Sequence, residues 1–178
     1  MTISVSFAAR ANLRFLLAHP YHFVALGFGV GLVPVAPGTF GTLLAFPLYR
    51  LLSAHLDPMG LLILFGFFYV GGIWVCERTG RDLGVKDHKA IVWDEIVAFL
   101  FVLFFAPATP LWQGGAFALF RLFDIVKPGP IRFVETTFRG GFGVMADDLV
   151  AAFFTLICLA LFKLLAPLIG GWLGFATV

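Results

Sequence analysis

Long uncharged windows alternate with short polar ones along this chain. The uncharged windows fall near 39–49, 59–76, 96–120 and 149–162. A bilayer core about 30 Å thick takes roughly 20 apolar residues in helical form, so MGLLILFGFFYVGGIWVC at 59–76 is the cleanest spanning candidate. The 96–120 window is interrupted at FFAPATPLW, where Pro107 and Pro110 remove backbone donors and restrict the residues before them. A helical hairpin is predicted there. Each arm has about 11 residues, or about 16 Å at the helical rise, too short to cross a bilayer unaided. Such arms need tight packing against neighbouring helices, or only partial immersion.

The first twenty residues, MTISVSFAARANLRFLLAHP, have a broken apolar run and no A-x-A-like site, so a cleaved signal peptide is not expected. Phe7, Ala11, Arg14 and Phe15 form a partial stripe with basic flanks, which predicts an interfacial segment over residues 1–18.

Composition agrees with the pattern. Of 178 residues, 61% are hydrophobic and 12% charged, against about 45–50% and about 25% in soluble domains. The expected fold is all-α: one compact domain over 1–178, a membrane helical bundle with short and broken helices and a polar cytoplasmic face. A formal net charge of +2 in so apolar a chain does not describe a nucleic-acid binder, and partners are expected in the lipid phase. Cys76 and Cys158 lie inside apolar runs, with no cysteine or histidine at metal-ligand spacing, as buried structural thiols do.

The polar segments are ERTGRDLGVKDHKAIVWDE, FRLFDIVKPGPIRFVETTFRGGFG and GFGVGLVPVAPGTFGT. Arg78, Arg81, Lys86 and Lys89 cluster in the first, and Arg121, Lys127, Arg132 and Arg139 in the second. By the positive-inside rule both face the cytoplasm, and the hairpin leaves and returns to that side. Arg50 and Lys163 stand outside this scheme.

Five carboxylates lie at the edges of apolar helices: Asp94, Glu95, Asp124, Asp147 and Asp148. WDEIVAF at 93–99 and ADDLVAA at 146–152 share one pattern, so two helices are expected to begin with paired acids. Helix N-termini favour acids by about 0.3–1 kcal/mol each, which makes simple capping one reading of both pairs. The other reading is chemical. Asp124 lies three residues from both Arg121 and Lys127, which stacks basic, acidic and basic groups on one helical face. Oxygen-only ligands from several helices, without His or Cys, suit a hard divalent cation such as Mg²⁺.

In PVAPGTFGT, Gly38 and Gly41 let backbone N–H groups approach an anion, Thr39 and Thr42 offer hydroxyls, and a helix N-terminus follows. The same residues serve close helix packing equally well. GGFG at 140–143 has the same double reading. His88 is the histidine nearest the acids, a phosphate contact or a solvated loop residue. The cysteine-phosphatase spacing is missed by one residue in VCERTGRD, and neither a D-x-D pair nor a serine poised beside a histidine occurs.

Four blocks, GFGVGLVPVAPGTFGT, VKDHKAIVWDEIVAF, FRLFDIVKPGPIR and RGGFGVMADDLVAA, resemble the phosphatidylglycerophosphatase A family over roughly residues 19–165. The segments 1–18 and 166–178 carry no motif. The resemblance implies an all-helical bacterial inner-membrane enzyme with its site facing the cytoplasm. It implies Mg²⁺-dependent removal of phosphate from phosphatidylglycerophosphate, yielding phosphatidylglycerol, the precursor of cardiolipin. Asp94, Glu95, Asp124, Asp147 and Asp148 are then the catalytic and metal residues. The expected arrangement has the Asp94, Asp124 and Asp147 helices holding Mg²⁺, while Asp148 or Glu95 orients water or an Asp attacks directly. Gly38, Thr39, Thr42, Arg121, Lys127, Arg132 and His88 face the phosphate. Two other readings stay open: a phosphatase for another lipid phosphate, such as phosphatidic acid, and a non-enzymatic transport or assembly protein. Polar residues gathered on one aqueous face favour an enzyme, and polar residues spread through the membrane depth favour transport.

Overall fold

A computed structural model describes residues 11–85 and 88–173, and every regular element among them is helical. In chain order these are α1 (Leu13–Ala18), α2 (Pro20–Ala25), a short 3₁₀ helix (Gly27–Leu32), α3 (Pro37–Ser53), α4 (Pro58–Leu83), α5 (Trp93–Phe105), α6 (Pro110–Val126), α7 (Gly129–Thr137) and α8 (Gly141–Leu173). Most of the predicted interfacial segment lies outside the described residues. Its visible end, α1, exposes Leu13 and Leu17 and buries Leu16.

Local signals place the helix ends. Asp57 caps α4 by accepting from Gly60 N–H at 3.2 Å, and Pro58 opens the helix where its missing donor costs nothing. Gly84, at φ 73°, closes it, with Val85 N–H reaching the Gly80 carbonyl at 3.1 Å. The hairpin turns at Pro107 and Pro110 as predicted, although its arms are longer, 13 and 17 residues.

The first arm becomes the centre of the molecule. Along α5, Ile96, Val97, Phe99, Leu100 and Val102 are fully buried, as expected of a helix apolar on every side. It packs chiefly against α3 and α8, so its 13 residues, about 20 Å, never have to meet lipid alone. Truncating Phe99 to Ala would cost about 3–5 kcal/mol in lost contacts and cavity.

Two stretches are long and apolar enough to cross a membrane, Pro58–Leu83 and Gly141–Leu165. On α4, Ile63, Phe67, Val70 and Trp74 stand exposed at helical spacing and form a stripe suited to lipid. The other face of α4 meets α8, where Gly72 lets the Met145 and Trp93 side chains approach so closely that a Cβ would sit 2.8 Å from Met145 Cε. Cys76 is buried there, 3.8 Å from Met145 Sδ, and Cys158 is half-buried further along α8.

Chain direction gathers the polar ends. The N-termini of α3, α5 and α8 meet the C-termini of α4 and α6 at one end of the bundle, where Gly38 abuts Glu95, Gly141 abuts Glu77, and Lys127 pairs with Asp147. A polar knot ties α2 to the same end of α4, with Tyr21 Oη donating to Asp82 Oδ2 at 2.8 Å and His22 Nε2 at 3.1 Å from that oxygen.

Two sequence expectations need correcting. α8 begins at Gly141, so Asp147 and Asp148 lie about 9 Å into the helix and cap nothing. Lys127 does not stack over Asp124 either. It stands past the end of α6 in a left-handed conformation, φ 44°, because the following Pro128 disfavours a further helical residue.

Candidate active site

Asp94 and Glu95 sit in the first turn of α5, behind Val92, whose side chain cannot cap. Asp148 reaches them from α8. One ligand oxygen from each of Asp94, Glu95 and Asp148 lies within 4.8 Å of the others, and Asp94 and Asp148 are 6% and 4% exposed. Two full negative charges at that separation repel by about 3 kcal/mol at an effective dielectric of about 20. Burial first, and then the charge of Asp148, push the Glu95 carboxyl up to about 8. Glu95 Oε2 is buried and accepts no hydrogen bond. Such a group relieves its repulsion by taking up a proton or a cation. An oxygen-only donor set with an unused buried lone pair fits Mg²⁺.

Asp124 stands at the edge of this cluster, in hydrogen-bonding contact with Asp148. It also forms an ion pair with Arg121, whose Nη1 lies 2.7 Å away, one helical turn back on α6. The same guanidinium lies 3.8 Å from Glu95 and 3.4 Å from the Thr42 hydroxyl, which itself donates to the Gly38 carbonyl at 2.9 Å. A Cβ at Gly38 would stand 2.0 Å from Glu95 Oε1 and 3.2 Å from Arg121 Nη2. Gly38 is therefore the gap into which the carboxylate fits. Gly38, Thr39 and Thr42 all belong to α3 rather than to a loop, and the Thr39 N–H already donates to the Ala36 carbonyl at 3.0 Å.

Lys127 serves the neighbouring acid. Its Nζ lies 2.6 Å from Asp147 Oδ2 and 2.9 Å from Glu135 Oε1. Burial opposes its charge, yet hydrogen bonds to and charges on Asp147 and Glu135 outweigh burial and hold the ammonium above the usual lysine range. The two acids of α8 thus face different partners, because adjacent helical residues point about 100° apart. Both acids were expected in one carboxylate set, but only Asp148 joins Asp94 and Glu95, while Asp147 pairs with Lys127.

Arg132 is exposed on α7. His88 accepts from Ala90 N–H at 3.1 Å and lines a separate cavity of about 330 Å³ with Lys89, Pro34 and Pro37. Neither belongs to the carboxylate group.

Glu77 was missed. From α4 its carboxylate accepts the Gly141 N–H and so caps α8, while Arg81 holds it at 2.6 Å. Gly140, at φ 75°, turns the chain into this contact, and a Cβ on it would collide with Glu77 Oε2 at 2.1 Å. The signal was available: an ionisable residue directly after an apolar spanning window, next to Cys76, needs a partner.

Fold and site together define an all-helical membrane bundle with a buried carboxylate cluster flanked by an arginine and a lysine at one end. The family model described as Phosphatidylglycerophosphatase A matches residues 23–163, and the chain belongs to that family of lipid phosphatases. A Haemophilus influenzae protein named Phosphatidylglycerophosphatase A is 43% identical over 142 residues, covering 79% of this chain and 87% of the relative. An Escherichia coli K12 protein of the same name is 37% identical over 153 residues, 85% and 88% of the two chains. A Bacteroides thetaiotaomicron relative, provisionally named a phosphatidylinositol-3-phosphatase, is 41% identical over 147 residues, 77% of this chain and 89% of its own. No solved structure matches.

Proposed function

We propose that this protein hydrolyses the terminal phosphate monoester of phosphatidylglycerophosphate, releasing phosphatidylglycerol and inorganic phosphate at the cytoplasmic face of a bacterial inner membrane. The product feeds phosphatidylglycerol and cardiolipin synthesis. The observation that carries the reading is the meeting of Asp94, Glu95 and Asp148 within 4.8 Å beside Arg121, in a chain of this family. The gathering of polar groups at one end of the bundle also favours an enzyme over a transport path.

Asp94, Glu95 and Asp148 would hold Mg²⁺, which when bound supplies neutralisation of phosphate oxygens and a lowered water pKa. The protein's own groups do the rest. Glu95 Oε2, buried without a hydrogen-bond donor, orients the attacking water and accepts its proton. Arg121, fixed by Asp124 and Thr42, faces the charge that develops on the transferring phosphoryl group. Lys127, paired with Asp147 and Glu135, adds positive charge at this end of the bundle.

The test is phosphate release from phosphatidylglycerophosphate by the purified protein in micelles, with Mg²⁺ and with a chelator. Activity that needs Mg²⁺ and drops in Asp148→Asn supports the reading. Full activity with chelator, or in that variant, overturns it. The Bacteroides relative favours a second reading, a 3-phosphorylated inositol lipid as substrate, and the same assay run on both lipids separates the two.

A further inference from the structure

We propose that the cavity between α7 and α8 is a headgroup subsite, receiving the glycerol hydroxyl and phosphodiester that lie between the reacting phosphate and the acyl chains. The inference rests on the reading of this protein as a phosphatase of a phosphorylated lipid headgroup, and it adds where the unreacted part of that headgroup sits.

The cavity encloses about 260 Å³ and is lined by Glu135, Thr136, Arg139, Gly140, Gly143 and Asp147, among others. Asp147 belongs to its wall. Its neighbour Asp148 faces the carboxylate cluster, so the cavity opens on the next face of α8, side by side with the reacting centre. A substrate with its terminal phosphate at the cluster has a polar remainder that needs polar surroundings, and this cavity begins at Asp147, one residue of α8 away from Asp148.

Its chemistry matches that remainder. Glu135, Asp147 and the Thr136 hydroxyl can accept from a glycerol hydroxyl, while Arg139 can pair with a phosphodiester in two-point fashion. Lys127 Nζ bridges Asp147 and Glu135 and so fixes both acids in the wall. The volume falls just under the roughly 300–1,000 Å³ of sites that hold whole drug-sized ligands, which suits a headgroup fragment. By contrast, the larger cavity of about 520 Å³, near the far ends of α5 and α8, is walled by Phe105, Trp112, Phe153 and other apolar groups, and offers a diester only Lys163.

The rim fits a lipid. Phe138 and Phe142 are exposed and meet edge to face with centroids 5.1 Å apart, and Phe133 is 65% exposed on α7. Phe138 lines the cavity, and exposed Phe rings beside it suit contact with acyl chains. Gly143 closes the seam, since a Cβ there would stand 2.4 Å from the Phe138 carbonyl oxygen.

The experiment is calorimetric titration of the full chain in micelles with glycerophosphoglycerol, the deacylated headgroup lacking the terminal phosphate, and separately with inorganic phosphate. The exposed Arg139→Ala should weaken glycerophosphoglycerol about tenfold or more, as loss of a charge-assisted pair does, and phosphate by less than about twofold. Thr136→Val should weaken glycerophosphoglycerol by about threefold. Equal weakening of both ligands by Arg139→Ala, no weakening of either, or no binding of glycerophosphoglycerol by the wild type overturns the subsite. A wild type that binds glycerophosphoglycerol but releases no phosphate from phosphatidylglycerophosphate overturns the functional reading instead.

Discussion

The two acid pairs, Asp94–Glu95 and Asp147–Asp148, occupy the same place in a shared sequence pattern and have different uses. On α5 the pair lies in the first turn, and both acids offer an oxygen to the cluster. On α8 the pair lies about 9 Å inside the helix and divides, Asp148 to the cluster and Asp147 to Lys127. The difference originates elsewhere in the chain. Glu77, 64 residues before Gly141, caps α8 and sets where that helix begins, and the start decides which acid faces which neighbour.

That contrast can be broken or sharpened by experiment. The largest effect should come from Asp148→Asn, which removes a cluster carboxylate and should cut phosphate release by about 10²–10⁴-fold. Asp147→Asn leaves the cluster whole and Lys127 still paired with Glu135, so a loss of only about tenfold is expected. Equal losses in the two variants, measured on the same lipid, would erase the distinction between the acids. Binding should divide them too. Mg²⁺ at about 100 times its dissociation constant should stabilise the wild type by about 2.7 kcal/mol in thermal unfolding. Asp147→Asn should retain that shift, and Asp94→Asn and Asp148→Asn should lose it.

Smaller effects probe the setting of the pairs. Glu77→Gln removes a charged cap from α8 and should cost about 1–2 kcal/mol of stability, seen as a lower unfolding midpoint. Thr42→Val removes the hydroxyl beside Arg121 and should cost about 0.5–1.5 kcal/mol, with a modest fall in activity and unchanged Mg²⁺ binding. A stability loss in Thr42→Val larger than in Glu77→Gln would show that α3, rather than α4, governs the geometry.

Much of the scaffold was legible in residue order. Proline placed the hairpin turn, charge-free length marked α4, and the basic segments foretold that the charged motifs share one end. The acids were legible as a group, because carboxylates at the edges of apolar helices have few inexpensive places to go. Their division was not legible, since a 100° step between neighbours says that two acids part without saying which faces the core. Gly38 shows a second limit. A missing side chain leaves the same mark whether the space serves a ligand or, as here, the Glu95 carboxylate of the protein itself. Lys127 was misplaced by helical periodicity although the Pro128 after it announced that the helix ends.

The carboxylate cluster also has a history within each molecule. Asp94 and Glu95 leave the ribosome about fifty residues ahead of Asp148, and α8 is the later of the two spanning-length helices among the described residues. Until it inserts, the growing chain holds neither a third acid to complete the cluster nor the backbone N–H that Glu77 receives. A chain interrupted before α8 therefore carries Asp94 and Glu95 without the acid that completes their cluster. The arrival of α8 then brings Asp148 to the cluster and the Gly141 N–H to Glu77 in one event.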